Sequence, residues 1–70
     1  MPVYIFKTNV INQSQVKGLK SNLNQLARKN ERWNFDLEDC DKILRVETRE
    51  PSAKKFAKAL EIQGFHCEEL

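Results

Sequence analysis

One histidine, two cysteines, two glycines and two prolines are all that this chain of 70 residues holds of the residue types that most often mark catalysis, metal binding or sharp backbone turns. With His66 alone, no nucleophile–base pair and no glycine-rich phosphate loop, the chain is read as non-catalytic. Cys40 and Cys67 stand far apart in sequence and form no C-x-x-C, so a reducing compartment would keep both as thiols. No run approaches the ~20 apolar residues that span a bilayer, and the N-terminus lacks the basic-then-apolar run of a secretory signal. The expected location is therefore cytoplasmic, with no membrane insertion. What remains is an ordinary folded composition, 40% hydrophobic and 31% charged, which excludes a disordered chain. It is enough for one domain with a small core, read as a monomer.

A net charge of +2 is too small to point to nucleic acid. Its distribution says more. Residues 1–33 hold six Lys/Arg against one acid, and residues 34–70 hold six against nine. Two readings stand: a two-signed surface that orients on a charged partner, or solvated helix faces.

Hydrophobic periodicity orders the chain into six elements. "VYIFKTNV" (3–10) is rich in β-branched and aromatic residues and reads as a strand, with Tyr4 and Phe6 turned to the core. Val16, Leu19, Leu23 and Leu26 recur at spacings of three and four, which predicts a helix over about 13–30. Gly18 inside it costs about 1 kcal/mol relative to alanine and suggests a close approach to a neighbouring element. "WNFDLE" (33–38) alternates strictly, as a half-buried strand does. "DCDK" (39–42) reads as a turn and "KILRVET" (42–48) as the returning strand with Leu44 and Val46 inward. In "PSAKKFAKALEIQGF" (51–65), Ser52 is the expected N-cap, Ala53, Phe56, Ala57 and Leu60 form the apolar stripe, and Gly64 is the expected left-handed stop. "HCEEL" closes as a short strand. With right-handed crossovers, the order β-α-β-β-α-β predicts an α+β, ferredoxin-like fold: a four-stranded antiparallel sheet in the order 4-1-3-2 with both helices on one face. The expected core is Val16, Leu19, Leu23, Leu26, Phe35, Leu37, Phe56 and Leu60.

These segments resemble the heavy-metal-associated domain family, the small copper chaperones and the N-terminal domains of metal-transporting ATPases. "FKTNV", a loop and "VKGLKSNL" look like that family's first strand, metal loop and first helix. "WNFDLEDCDKILRVE" looks like its central hairpin, and "SAKKFAKALEIQGFHCEEL" like its second helix and last strand. The resemblance implies a soft-metal site made by two cysteines spaced C-x-x-C at the start of the first helix, where thiolates suit copper(I). In register those positions are Asn12 and Gln15, whose neutral amides are poor ligands for copper(I) or zinc. The metal function is therefore not carried over, and no cofactor is expected.

The residues suggest two other uses for this stretch. Asn12-x-x-Gln15 is close to a capping box, in which Asn12 caps the helix and Gln15 reaches back to the cap's own N–H. An anion held at the helix N-terminus is the other. A weak metal site from His66 and Cys67 with Asn12 is a further alternative. Cys40 is expected on the order of 10–14 Å away, two to three strand spacings, too far to join it or to form a disulfide. Cys67 is expected in the core and His66 on the surface. For partners, Lys17, Lys20 and Arg28 on the first helix, with Lys54, Lys55 and Lys58 on the second, are the candidate docking residues for a protein with an acidic surface; the same lysines also serve simply to keep a domain soluble. RNA binding needs aromatics on the open sheet face, and "KILRVET" has none.

Overall fold

The computed structural model describes residues 2–49 and 52–70. Strand β1 (Val3–Thr8) leads into helix α1 (Gln13–Leu26), then β2 (Arg32–Asp36), β3 (Ile43–Glu47), helix α2 (Ser52–Ile62) and β4 (Cys67–Glu69). All pairings are antiparallel, and the sheet order is β2-β3-β1-β4, which read from the opposite edge is β4-β1-β3-β2.

The register divides the sheet into two unlike faces. Phe35 lies opposite Leu44 and Leu44 opposite Phe6; Trp33 lies opposite Val46 and Val46 opposite Tyr4. This face meets both helices: Leu19 and Leu23 of α1 and Ala53, Phe56 and Leu60 of α2 join Phe6, Leu44 and Val46 in one buried cluster. Trp33 and Phe35 stack edge to face at 5.9 Å, and the indole N–H donates to Asn24 Oδ1 at 3.0 Å, which ties α1 to β2. The other face mixes polar pairs with the aliphatic side chains of Val3, Ile5 and Ile43. Arg32 lies opposite Glu47, Asn34 opposite Arg45, and Lys7 opposite Glu68. The aromatic residues of the strands all belong to the covered face. Of the expected core, Leu19, Leu23, Phe56 and Leu60 are buried, whereas Val16, Leu26, Phe35 and Leu37 are half-buried around them.

Several boundaries differ from the sequence reading, each for a local reason. Strand β1 stops at Thr8 rather than Val10. The Thr8 hydroxyl donates to Lys42 O at 2.6 Å and accepts from Val10 N–H at 3.2 Å, which turns the chain out of the sheet. The 39–42 turn is closed as expected by an aspartate: Asp41 N–H donates to Asp39 Oδ1 at 2.8 Å. It ends on Lys42 with φ 51°, a left-handed position more often given to glycine or asparagine. Lys42 is held there from all sides. Its N–H donates to Asp39 O, its carbonyl accepts from Thr8, and its ammonium donates to Leu37 O at 2.9 Å. Strand β2 accordingly ends at Asp36, leaving Leu37 to this turn.

Helix α1 ends at Leu26, not near residue 30. Ala27 turns to ψ 123° while its N–H still reaches Leu23 O. The next residues are drawn into a separate loop by Glu31, which accepts from Arg28 N–H at 2.8 Å and from the hydroxyl of the fully buried Thr48. Helix α2 already includes Ser52, which corrects its expected role as N-cap; Pro51 lies outside the described residues. Its far end is as expected. Gly64 has φ 90°, Gly64 N–H reaches Glu61 O and Phe65 N–H reaches Leu60 O, the paired bonds of a Schellman stop. Gly18, in contrast, makes no close approach: a Cβ there would meet nothing within 4 Å.

Gly18→Ala should therefore stabilise the domain by about 1 kcal/mol, raising Tm by roughly 4–8 °C for a chain this size. Thermal unfolding by circular dichroism checks this; an unchanged or lower Tm would mean the position is constrained after all. Glu31 supplies a pH test. The Thr48 hydroxyl first, and the Arg28 N–H second, hold its carboxyl below the ordinary carboxylate range. A lowered folded pKa means this contribution is present above the unfolded value, about 4.3, and is lost as pH falls through the folded value. Urea unfolding at stepped pH should show the wild type losing more stability than Glu31→Gln on the acid side of that value, and parallel curves would remove Glu31 from the account.

Candidate functional site

Three connections meet at one end of the sheet: the β1–α1 loop, the 37–42 turn, and the α2–β4 turn. Thr8 N–H donates to Asp41 O and Lys42 O, Thr8 lies opposite Cys67 in the β1–β4 ladder, and His66 N–H donates to Asn9 Oδ1 at 2.8 Å. This is where the resemblance implies a metal loop.

The two positions in question do conformational work. Asn12 has extended backbone, φ −148° and ψ 166°, and its Oδ1 accepts from Gln15 N–H at 2.9 Å. Gln15 Oε1 accepts from Ile11 N–H at 2.8 Å. The box is therefore shifted by one residue from the expected form: Gln15 returns to the residue before the cap, not to the cap. Both amide oxygens are engaged by backbone donors, so the loop holds a helix-start conformation through hydrogen bonds alone.

His66 and Cys67 are adjacent in sequence but diverge, as the alternation of an extended chain requires. Cys67 is half-buried against the core, whereas His66 is exposed with Nε2 3.6 Å from a Glu68 carboxylate oxygen. Burial pushes the Cys67 thiol up to about 12, with the Glu61 carboxylate acting in the same direction. Burial therefore disfavours the thiolate, the reactive form of a cysteine. Cys40 is exposed, and both cysteines are free. One group escaped the sequence reading: ligand atoms of Asp39, Cys40 and Asp41 all lie within 4.8 Å of one another. The triplet D-C-D was its only signal. Asp39 is already engaged by the turn, and Asp41 pairs with Lys7 at 3.8 Å.

The basic residues singled out as docking candidates fall in separate places. Lys17 and Lys20 are exposed and share a helical stripe with Asn24, the partner of Trp33, so they border the β2 edge. Arg28 is not on α1 at all; it lies in the following loop, its N–H bonded to Glu31. Lys54, Lys55 and Lys58 are exposed on α2 and line a surface hollow of about 460 Å³ with Leu26, Ala59 and Ile62. Ile62 is 71% exposed and was missed by the sequence reading. A signal existed: Lys55, Lys58, Ala59 and Ile62 fall at i, i+3, i+4 and i+7, a second stripe beside the buried one.

No helix among the described residues is long and apolar enough to cross a membrane. Comparison with protein-family models, curated proteins and solved structures gave no match for this chain.

At pH 8, one thiol per folded chain should react promptly with a chromogenic disulfide reagent, and Cys40→Ser should remove that phase. Cys67 should react at least ~10-fold more slowly until denaturant is added, because the thiolate is the reactive form. Two equally fast thiols would mean Cys67 is neither buried nor protonated as described.

Proposed function

We propose that this chain is a small, non-catalytic binding module of ferredoxin-like architecture, resembling heavy-metal-associated domains with a degenerate metal site, that docks a protein with an acidic surface. It is read as a cytoplasmic monomer that needs no cofactor. The observation that carries this reading is the reciprocal cap: at the two positions where the resemblance implies thiolates, Asn12 and Gln15 offer amide oxygens that already accept Gln15 N–H and Ile11 N–H. The sheet order, β4-β1-β3-β2 from one edge, supports the architecture. The exposed lysines on both helices support an acidic partner. The absence of aromatics from the strands' open face, among the described residues, weighs against base stacking and so against RNA.

The second reading is a heavy-metal-binding module with a non-standard ligand set. The grouping of Asp39, Cys40 and Asp41 favours it, and it would add carboxylates to a single thiol.

Two competition titrations against chromophoric chelators, one with copper(I) under reducing conditions and one with zinc, separate the two, because carboxylates suit a harder ion than copper(I). The wild type should leave both metals with their chelators. Asn12→Cys with Gln15→Cys should withdraw one copper per chain, because the helix N-terminus lowers thiol pKa. Loss of the cap should make the apo double variant less stable by about 1 kcal/mol, and metal should restore it. Tight stoichiometric binding by the wild type overturns the first reading. Failure of the double variant to bind would mean residues 11–15 do not have the conformation the resemblance implies.

A further inference from the structure

Between α1 and α2 the helix layer is not closed. Two hollows, of about 380 and 460 Å³, share Leu26, Ala59 and Ile62, so they are the two sides of one groove with an apolar floor. One wall carries amides, Asn22, Gln25 and Gln63. The other carries Lys54, Lys55 and Lys58. Ile62, 71% exposed, stands beside these three lysines with Leu26 and Ala59 next to it.

Resting on the reading of this chain as a docking module, we propose that the α1–α2 groove is its docking site, and that the occupant is an amphipathic helix of a partner protein with an apolar stripe and an acidic flank. The groove runs between two helices, the geometry that seats a third helix by its i, i+3, i+4, i+7 residues. The apolar stripe covers Leu26, Ala59 and Ile62, and the acidic flank meets Lys55 and Lys58. The partner is set by charge. Helix α1 contains no acidic residue, and α2 contains only Glu61. A second copy of this chain laying its own helices in the groove would bring lysine against lysine, whereas an acidic helix neutralises the wall as it buries the floor. No residue of the β1–α1 loop lines the groove. Docking here is therefore independent of the loop that holds Asn12 and Gln15.

The probe is a synthetic helical peptide with leucines at i, i+3, i+4 and i+7 and glutamates along one flank, titrated into the isotopically labelled domain and followed by NMR. Two controls accompany it: a peptide of the same composition with scrambled leucine positions, and a version with lysine for glutamate. Amide shifts should concentrate at Leu26, Lys55, Lys58, Ala59 and Ile62. Ile62→Glu should weaken binding about tenfold or more, as loss of a central anchor does. Lys55→Glu with Lys58→Glu should weaken it and flatten its salt dependence, whereas Lys17→Glu with Lys20→Glu should leave it unchanged. Each site is exposed, so the variants keep the wild-type circular dichroism spectrum as the check on folding. If the scrambled peptide binds equally and Ile62→Glu has no effect, the groove is refuted while electrostatic docking stands. Shifts along Lys17 and Lys20 would refute the groove and move docking to the β2 flank. If neither acidic peptide binds, the groove and the docking module fall together. Self-association abolished by Ile62→Glu would give the groove to a second copy, and shifts at the same residues with anionic vesicles but none with the peptide would give it to a membrane; either overturns the proposal.

Discussion

A chain of 70 residues has enough apolar surface to bury one face of one sheet, and this constraint organises everything else. Phe6, Leu44 and Val46 occupy one side of the central strands, and the stripes of α1 and α2 both have to find that side. Both helices take that side; the opposite face carries charged pairs, Arg32 against Glu47 and Lys7 against Glu68, beside Val3, Ile5 and Ile43. Helices crowded onto one face of a narrow sheet leave a seam between them. The groove floored by Leu26, Ala59 and Ile62 is that seam, so the proposed docking surface is a direct consequence of how the core was filled.

The loop end is organised by polar contacts of high precision rather than by burial. Thr8 is its centre. One hydroxyl and one N–H hold the carbonyls of the 37–42 turn, and the same hydroxyl receives Val10 N–H. Asn9 reaches across to His66 N–H. These bonds hold the β1–α1 loop, and the Asn12–Gln15 exchange completes the helix start. Asn12 and Gln15 thus serve the start of the helix. The loop and the groove share no residue.

Much was legible in the sequence because periodicity is a local property that burial must match. The spacing of Val16, Leu19, Leu23 and Leu26 marked the inner face of α1, and the alternation of Trp33, Phe35 and Leu37 marked the inner face of β2 and the turn after it. Gly64 marked the end of α2, since only a residue at ease with positive φ closes a Schellman stop cleanly. Asn12 marked the start of α1 through its side-chain chemistry. What depended on partners distant in sequence was not legible. Nothing in Ala27, Arg28, Lys29 or Asn30 forbids another turn of helix; the helix ends because Glu31 gathers the following loop while bonded to Thr48, buried seventeen residues further along the chain. Only the tertiary structure placed Lys17 and Lys20 beside the β2 edge and Arg28 in the loop after the helix. Ile62 shows the same division. Its place on a second stripe of α2 was written in the sequence, but whether that stripe would be covered depended on where α1 came to rest, and α1 leaves it open because its apolar side follows Leu19 and Leu23 down to the sheet.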